Sequence, residues 1–304
     1  MIPPRDRVLY SPHAARPEIS WPGDARIAVW VAPNIEHYEY TPPLTSEARD
    51  PWPRTPHPDV QMYSYKDYGN RVGLWRMADL LDELDIRATV SLNMAVMDHF
   101  PEVATLIRDL RWKVMSHGIY NTRFSYGLTE VEERAWLIDT IESLHRHTGL
   151  TLRGMLGPAI SGTLRTPDLM AELGLIYHTD WAHDDVPVPL AVQEGRLISV
   201  PYSFDLNDAP LFGANHDSAY FVEIAKRQFD TLYREGGKVM CLALHPFLFG
   251  QPHTIGDLCE ILRYITGHDD VWMTTADDIA EHYLAHHYDT QLAHASSLLP
   301  ARSA

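Results

Sequence analysis

The chain has 304 residues, is 45% hydrophobic and carries a formal net charge of -16. That length can bury a large core in one α/β domain or two smaller ones, and the acidic balance argues against nucleic acid or an anionic membrane surface as a partner. Two cysteines, Cys241 and Cys259, are too few for a disulfide framework and lack Cys-x-x-Cys spacing. With a polar N-terminus and no apolar run of about 18 residues, the expected setting is the reduced cytoplasm and a small substrate.

Residues 1–25 read as an N-terminal arm with prolines and aromatics but no periodicity. Residues 26–32 form an apolar run of strand length, followed by the polar Asn34-Ile35-Glu36-His37. Residues 41–68 are crowded with proline and aromatic residues and are expected to be a long loop that covers part of the surface. Helical spacing follows over 72–84, a strand over 88–92, a helix over 100–110 and a strand over 112–115 that delivers Ser116-His117-Gly118. Thr129-Glu130-Val131-Glu132 is a capped helix start, and Thr166-Pro167-Asp168 opens another helix. Strands are expected to end near Gly157 and over 175–178, 197–200, 239–244 and 271–274, and helices over 219–233, 255–265 and 278–285. The Ser/Ala-rich residues 287–304 are expected to fray.

This alternation predicts one parallel-sheet α/β domain over 26–286, open or closed into a barrel. Polar residues sit just past successive strands: Asn34 and Glu36, His117 and Asn121, Asp180 and Trp181, and His245. In α/β barrels the C-terminal ends of the strands carry the active site. Any one of these residues is a weak signal in a chain with 17 histidines; their shared address is the informative feature.

At these positions, from about Ile27 to Tyr283, the sequence resembles the polysaccharide deacetylase superfamily, carbohydrate esterase family 4 and its relatives. Asn34-Ile35-Glu36 stands where that family keeps an acidic pair, and His117-Gly118-Ile119-Tyr120-Asn121 where it keeps two metal-binding histidines four apart. Leu156-Gly157-Pro158, Thr179-Asp180-Trp181 and Leu242-Ala243-Leu244-His245-Pro246 match three further motifs. The stretch Pro201-Tyr202-Ser203-Phe204-Asp205-Leu206-Asn207-Asp208 is similar to a segment of the atypical branch, which includes allantoinase-like and cyclic-imide hydrolases. The resemblance implies a single-domain, distorted (β/α) barrel and a hydrolase acting on non-peptide C–N bonds.

Departures from the family pattern narrow that implication. Asn34 cannot accept a proton at neutral pH, Asn121 is a poorer zinc ligand than imidazole, and Leu156 replaces an arginine. Two mechanisms stay open. Either Glu36, His117 and Asn121 hold a divalent metal, zinc or manganese, or the reaction is metal-independent, with Glu36 as base and His117 and Asn121 donating to the oxyanion. His245 is the general acid in both. Asn34, Asp180, Trp181 and Asn207 are candidates to hold the substrate, whereas His37 should point away from Glu36 and His183-Asp184-Asp185 reads as a solvated loop. The expected substrate is a small amide, cyclic imide or ureide. Its alternatives are an N-acetylated sugar, or no reaction at all in a silent binding or scaffold relative. A homo-oligomer, dimer or tetramer, is expected from the arm and the resemblance.

Overall fold

In the computed structural model, the structure describes residues 2–3, 6–41, 58 and 60–299. Among them nine strands form one sheet: β1 (Ile27–Ile35), β2 (Thr89–Leu92), β3 (Lys113–Ser116), β4 (Gly154–Met155), β5 (Tyr177–His178), β6 (Val188–Leu190), β7 (Leu197–Ser199), β8 (Lys238–Leu244) and β9 (Val271–Thr274). Their order is β6-β7-β5-β4-β3-β2-β1-β8, with β9 pairing β1. Every pairing is parallel except β6 with β7. A parallel bridge between Asn207 and Ala243 leads back from the segment after β7 to β8, so the sheet curls into a partly open barrel.

Strands β1 and β8 are buried along their whole length, as strands covered on both faces must be. Their side chains alternate between two cores. Val29, Val31, Met240 and Leu242 meet the surrounding helices, whereas Ala28, Trp30, Ala32, Val239, Cys241 and Ala243 share the second cluster with Met115, Leu156 and Tyr177. The arm and the helix Ala276–His286 close the other end of that second cluster through Trp21, Ala276 and Tyr283. Because the side-chain period is two, continuing the alternation past the strand ends puts Asn34 and Glu36 on the side of Trp30. It likewise puts His117 on the side of Met115 and His245 on that of Ala243.

The helix after Thr129 carries the expected capping box, with the Thr129 amide donating to Glu132 at 2.8 Å. Other segments differ from expectation. Residues 60–68 are helical in spite of the aromatic and proline-rich surroundings, and continue through a π-helical turn, Gly69–Gly73, into the helix Leu74–Glu83. The rest of the expected loop, residues 42–57 and 59, lies outside the described residues. Instead of fraying, Tyr288–Ser297 forms a helix whose Tyr288, Gln291 and Ala295 are buried, because the arm supplies a surface for it: the Gln291 side chain donates to the Pro17 carbonyl.

The arm itself is pinned. Arg7 is 2% exposed and donates to both oxygens of Asp168, at 2.7 and 2.8 Å, and to the carbonyls of Ala191 and Leu164. Among the described residues no helix is long and apolar enough to cross a membrane.

Candidate active site

Glu36 lies one residue beyond β1 and is nearly buried. One of its oxygens, Oε1, is 3.5 Å from His117 Nε2 and 3.5 Å from His245 Nε2. The other, Oε2, accepts a hydrogen bond from the Tyr38 hydroxyl at 2.9 Å. The Asn121 amide nitrogen donates to that same hydroxyl at 2.5 Å. The structure therefore brings Glu36, His117, Asn121 and His245 together.

Each histidine has a defined back partner. His117 Nδ1 faces the Leu156 carbonyl at 3.0 Å. A carbonyl only accepts, so Nδ1 carries a proton, and Nε2 is the ring nitrogen turned towards Glu36. His245 is held by Asp208, whose Oδ1 lies 2.6 Å from Nδ1 and whose Oδ2 accepts the His245 backbone N–H at 2.7 Å. Burial alone would depress the His245 pKa, but Asp208 and Glu36 outweigh it and raise it to about 9. Burial likewise pushes Glu36 up, yet His245 and His117 more than compensate and hold the carboxyl well below its usual range. At neutral pH the pair is thus a carboxylate facing an imidazolium, an acid and a base side by side.

The neighbouring helix fixes this arrangement from outside. Asn70, in the π-helical turn, donates to the Glu36 carbonyl at 2.8 Å. A Cβ on Gly73 would sit 1.9 Å from the Pro246 carbonyl oxygen, so only glycine lets the helix approach the turn after His245. π-turns recur at functional sites because they re-aim side chains without ending the helix. Asn93 supports the other side, accepting from the His37 amide at 2.9 Å and donating to the His117 carbonyl.

The four residues expected to hold the substrate have defined partners within the protein. Asn34 is buried and donates to the Tyr202 hydroxyl at 3.0 Å and the Leu244 carbonyl at 3.3 Å, locking the strand ends together. Asp180 accepts from the Gly157 amide at 2.8 Å and lies 3.1 Å from His178, so it braces the loop whose Leu156 carbonyl orients His117. Trp181 donates to His178 at 3.1 Å and stacks on His183. Asn207 caps the short helix Asp208–Gly213, accepting from the Ala209 amide at 3.2 Å. Each of the four is thus held in place by contacts within the protein.

His37 turns away from Glu36 and stacks on His99, as the alternation requires. Of the loop 183–185, Asp184 pairs with Arg16 at 2.8 Å. Sequence reasoning missed Asp208 and Tyr38. Tyr38 was within reach, since position i+2 of an extended chain lies on the Glu36 side; the pairing of Asp208 with a residue 37 positions away left no sequence signal.

A divalent ion would find one carboxylate, one imidazole lone pair and one amide oxygen here. Asn121 Oδ1 is buried without a hydrogen-bond partner, and His117 Nε2 and Glu36 Oε1 lie 3.5 Å apart, a spacing two ligands of one ion can share. Both observations fit a cation. Among the described residues, however, no group of three His, Cys, Asp or Glu side chains is arranged to hold one. The donor set therefore suits a loosely held ion and lacks the ligands of a tight zinc site.

No family model matches the chain. A Schizosaccharomyces pombe protein named provisionally as a polysaccharide deacetylase is 27% identical over 301 residues, covering 88% of this chain and 93% of its own length. Among solved structures, the Puue allantoinase superposes with a TM-score of 0.81 at 28% identity, covering 94% of this chain and 99% of that one. A probable polysaccharide deacetylase from Pseudomonas aeruginosa PAO1 gives a TM-score of 0.78, also at 28% identity, with 89% and 95% covered. By its curled (β/α) barrel and by these relatives, the chain is similar to proteins of the polysaccharide deacetylase superfamily.

Proposed function

We propose that the chain hydrolyses a non-peptide, amide-type C–N bond, with Glu36 as general base and His245 as general acid. The observation that carries this reading is the convergence of two imidazoles on one Glu36 oxygen, each at 3.5 Å, with Asp208 fixing the proton on one of them. A water bound at Glu36 Oε1 gives a proton to Glu36 as it attacks the carbonyl carbon. The His245 imidazolium faces the developing oxyanion and then gives its Nε2 proton to the leaving nitrogen. Glu36 returns the water's proton to His245 across the 3.5 Å gap, restoring the starting state. Glu36, His117 and Asn121 would hold a divalent ion, zinc or manganese, which when bound polarises the carbonyl and acidifies water.

Two substrate classes remain. The names of the S. pombe and P. aeruginosa relatives favour an N-acyl group, hence N-deacetylation. The allantoinase neighbour and the asparagines at 34 and 121 support a small cyclic imide or ureide. The relatives weigh more heavily towards N-deacetylation. Cytoplasmic placement and a homo-oligomer are part of the proposal, supported by the acidic charge and the two free cysteines in the first case and by the arm in the second.

The test is a panel of N-acetylglucosamine oligomers, succinimide, dihydrouracil, hydantoin and allantoin, assayed with zinc, manganese or chelator. One class should be turned over, and Glu36→Gln should lower that rate by about 10²–10⁴. Equal rates in the wild type and Glu36→Gln would sink the assignment.

A further inference from the structure

We propose that Tyr38 is a positioning residue of the Glu36 site, whose hydroxyl sets which oxygen of Glu36 and which end of the Asn121 amide stay free for a divalent ion. The proposal rests on the reading of Glu36, His117 and Asn121 as the residues that would hold that ion.

Tyr38 stands where two segments meet. It lies two residues past Glu36 on extended chain, hence on the same side, and the Asn121 backbone amide donates to the His37 carbonyl at 3.0 Å. The Tyr38 hydroxyl donates to Glu36 Oε2 at 2.9 Å and accepts from the Asn121 side-chain nitrogen at 2.5 Å. The direction of both bonds follows from Glu36. A carboxylate only accepts, so the single hydroxyl hydrogen is committed to it. Asn121 can then meet the hydroxyl only with a donor, which is its nitrogen. The amide oxygen is thereby turned away from Tyr38.

The bridge leaves one oxygen of each residue unclaimed by Tyr38. Glu36 Oε1 lies 3.5 Å from His117 Nε2, and Asn121 Oδ1 is buried with no hydrogen-bond partner. Buried acceptors are nearly always paired, so an amide oxygen held in this state calls for a partner. Carboxylate and amide oxygens suit manganese among the divalent ions. A side chain that hydrogen-bonds metal ligands from behind fixes their orientation, and its loss typically lowers affinity by about 10–100-fold. Tyr38 touches two of the three candidate ligands at once, and so decides how an asparagine can serve among them.

Titration of the full, chelator-stripped chain with manganese, followed by electron paramagnetic resonance, needs no substrate. The wild type should bind an ion that His117→Ala removes. Tyr38→Phe keeps the ring on which Lys66 sits, 4.9 Å from its centroid, and loses only the hydroxyl. It should weaken that ion by about 10–100-fold, with its melting temperature in chelator unchanged. Asn121→Leu should weaken it as well, and Tyr38→Phe should cost less in that background than in the wild type, because one end of the bridge is already gone. Equal or tighter binding by Tyr38→Phe would overturn the proposal, as would the same loss in both backgrounds. A wild type that holds no ion dependent on His117 would overturn the ion-holding reading itself and this proposal with it, a failure seen before any change at Tyr38.

Discussion

Replacing Asp208 by asparagine isolates what keeps His245 protonated. The Asp208 carboxylate accepts two N–H groups of the same residue, the backbone amide at 2.7 Å and Nδ1 at 2.6 Å. An asparagine side chain has one oxygen, so one of those two contacts becomes a clash of donors. Either the backbone turn loosens or the imidazole changes tautomer. Raising an imidazole pKa from 6.5 to about 9 corresponds to ~3 kcal/mol in favour of the charged ring. With Asp208 gone the burial penalty stays while the main counter-charge is lost, so His245 should titrate below about 7. The proposed general acid is then largely unprotonated at neutral pH, and kcat/KM should fall by about 10³–10⁴, as when the acid of a His–Asp pair is neutralised.

The assay needs no substrate: the ring Cε1–H shift of His245 is followed by NMR from pH 5 to 10 in the wild type and the variant. The stability side has a defined sign. A raised folded-state pKa contributes stability that is complete below 6.5 and lost as pH climbs through about 9. The reasoning is refuted if His245 titrates near its ordinary value in the wild type, or if Asp208→Asn leaves its titration in place.

Three further expectations concern the scaffold. Arg7→Ala should cost about 3 kcal/mol in chemical unfolding, towards the low end for a broken buried pair, because Arg165 still reaches Asp168 at 2.8 Å; a loss under about 1 kcal/mol would mean the arm is not anchored there. Gly73→Ala should destabilise by ~1–3 kcal/mol and reduce hydrolysis, since its Cβ would press on Pro246, beside His245; unchanged melting and activity would contradict the contact. Asp277, buried at the closed end of the barrel, has its pKa raised to about 6, chiefly by burial and despite the hydrogen bond from Tyr177 at 2.7 Å. The folded state then holds a proton the unfolded chain lacks, so this group lowers stability as pH rises from 3.8 to about 6. Asp277→Asn should therefore gain ~1–2 kcal/mol at pH 7 and nothing near pH 3.5; a gain that does not vary with pH would show that the charge is not the cause.

The amino-acid sequence alone determined where Glu36, His117 and His245 would gather. The two-residue period of β1 runs Ala28, Trp30, Ala32, Asn34, Glu36, and a pattern that fills one side of a barrel must also aim its last polar member there. The same periodicity placed His117 after Met115 and His245 after Ala243, and turned His37 away. Local chemistry was equally legible: Thr129 and Glu132 are three positions apart, and a capping box needs nothing else. What a short window cannot contain is partnership between distant segments. Asp208 serves His245 from a helix that starts after the Asn207 cap, and Asn70 reaches Glu36 from a π-turn whose Gly73 packs against Pro246. The helix Tyr288–Ser297 was likewise invisible, because its alanines and serines carry little periodic signal and gain order by packing near the arm. Side-chain periodicity is written into consecutive residues, so the sequence determined the address; charge, tautomer and proton position depend on what tertiary folding brings within 3 to 4 Å, so only the structure decided what Glu36, His117 and His245 can do.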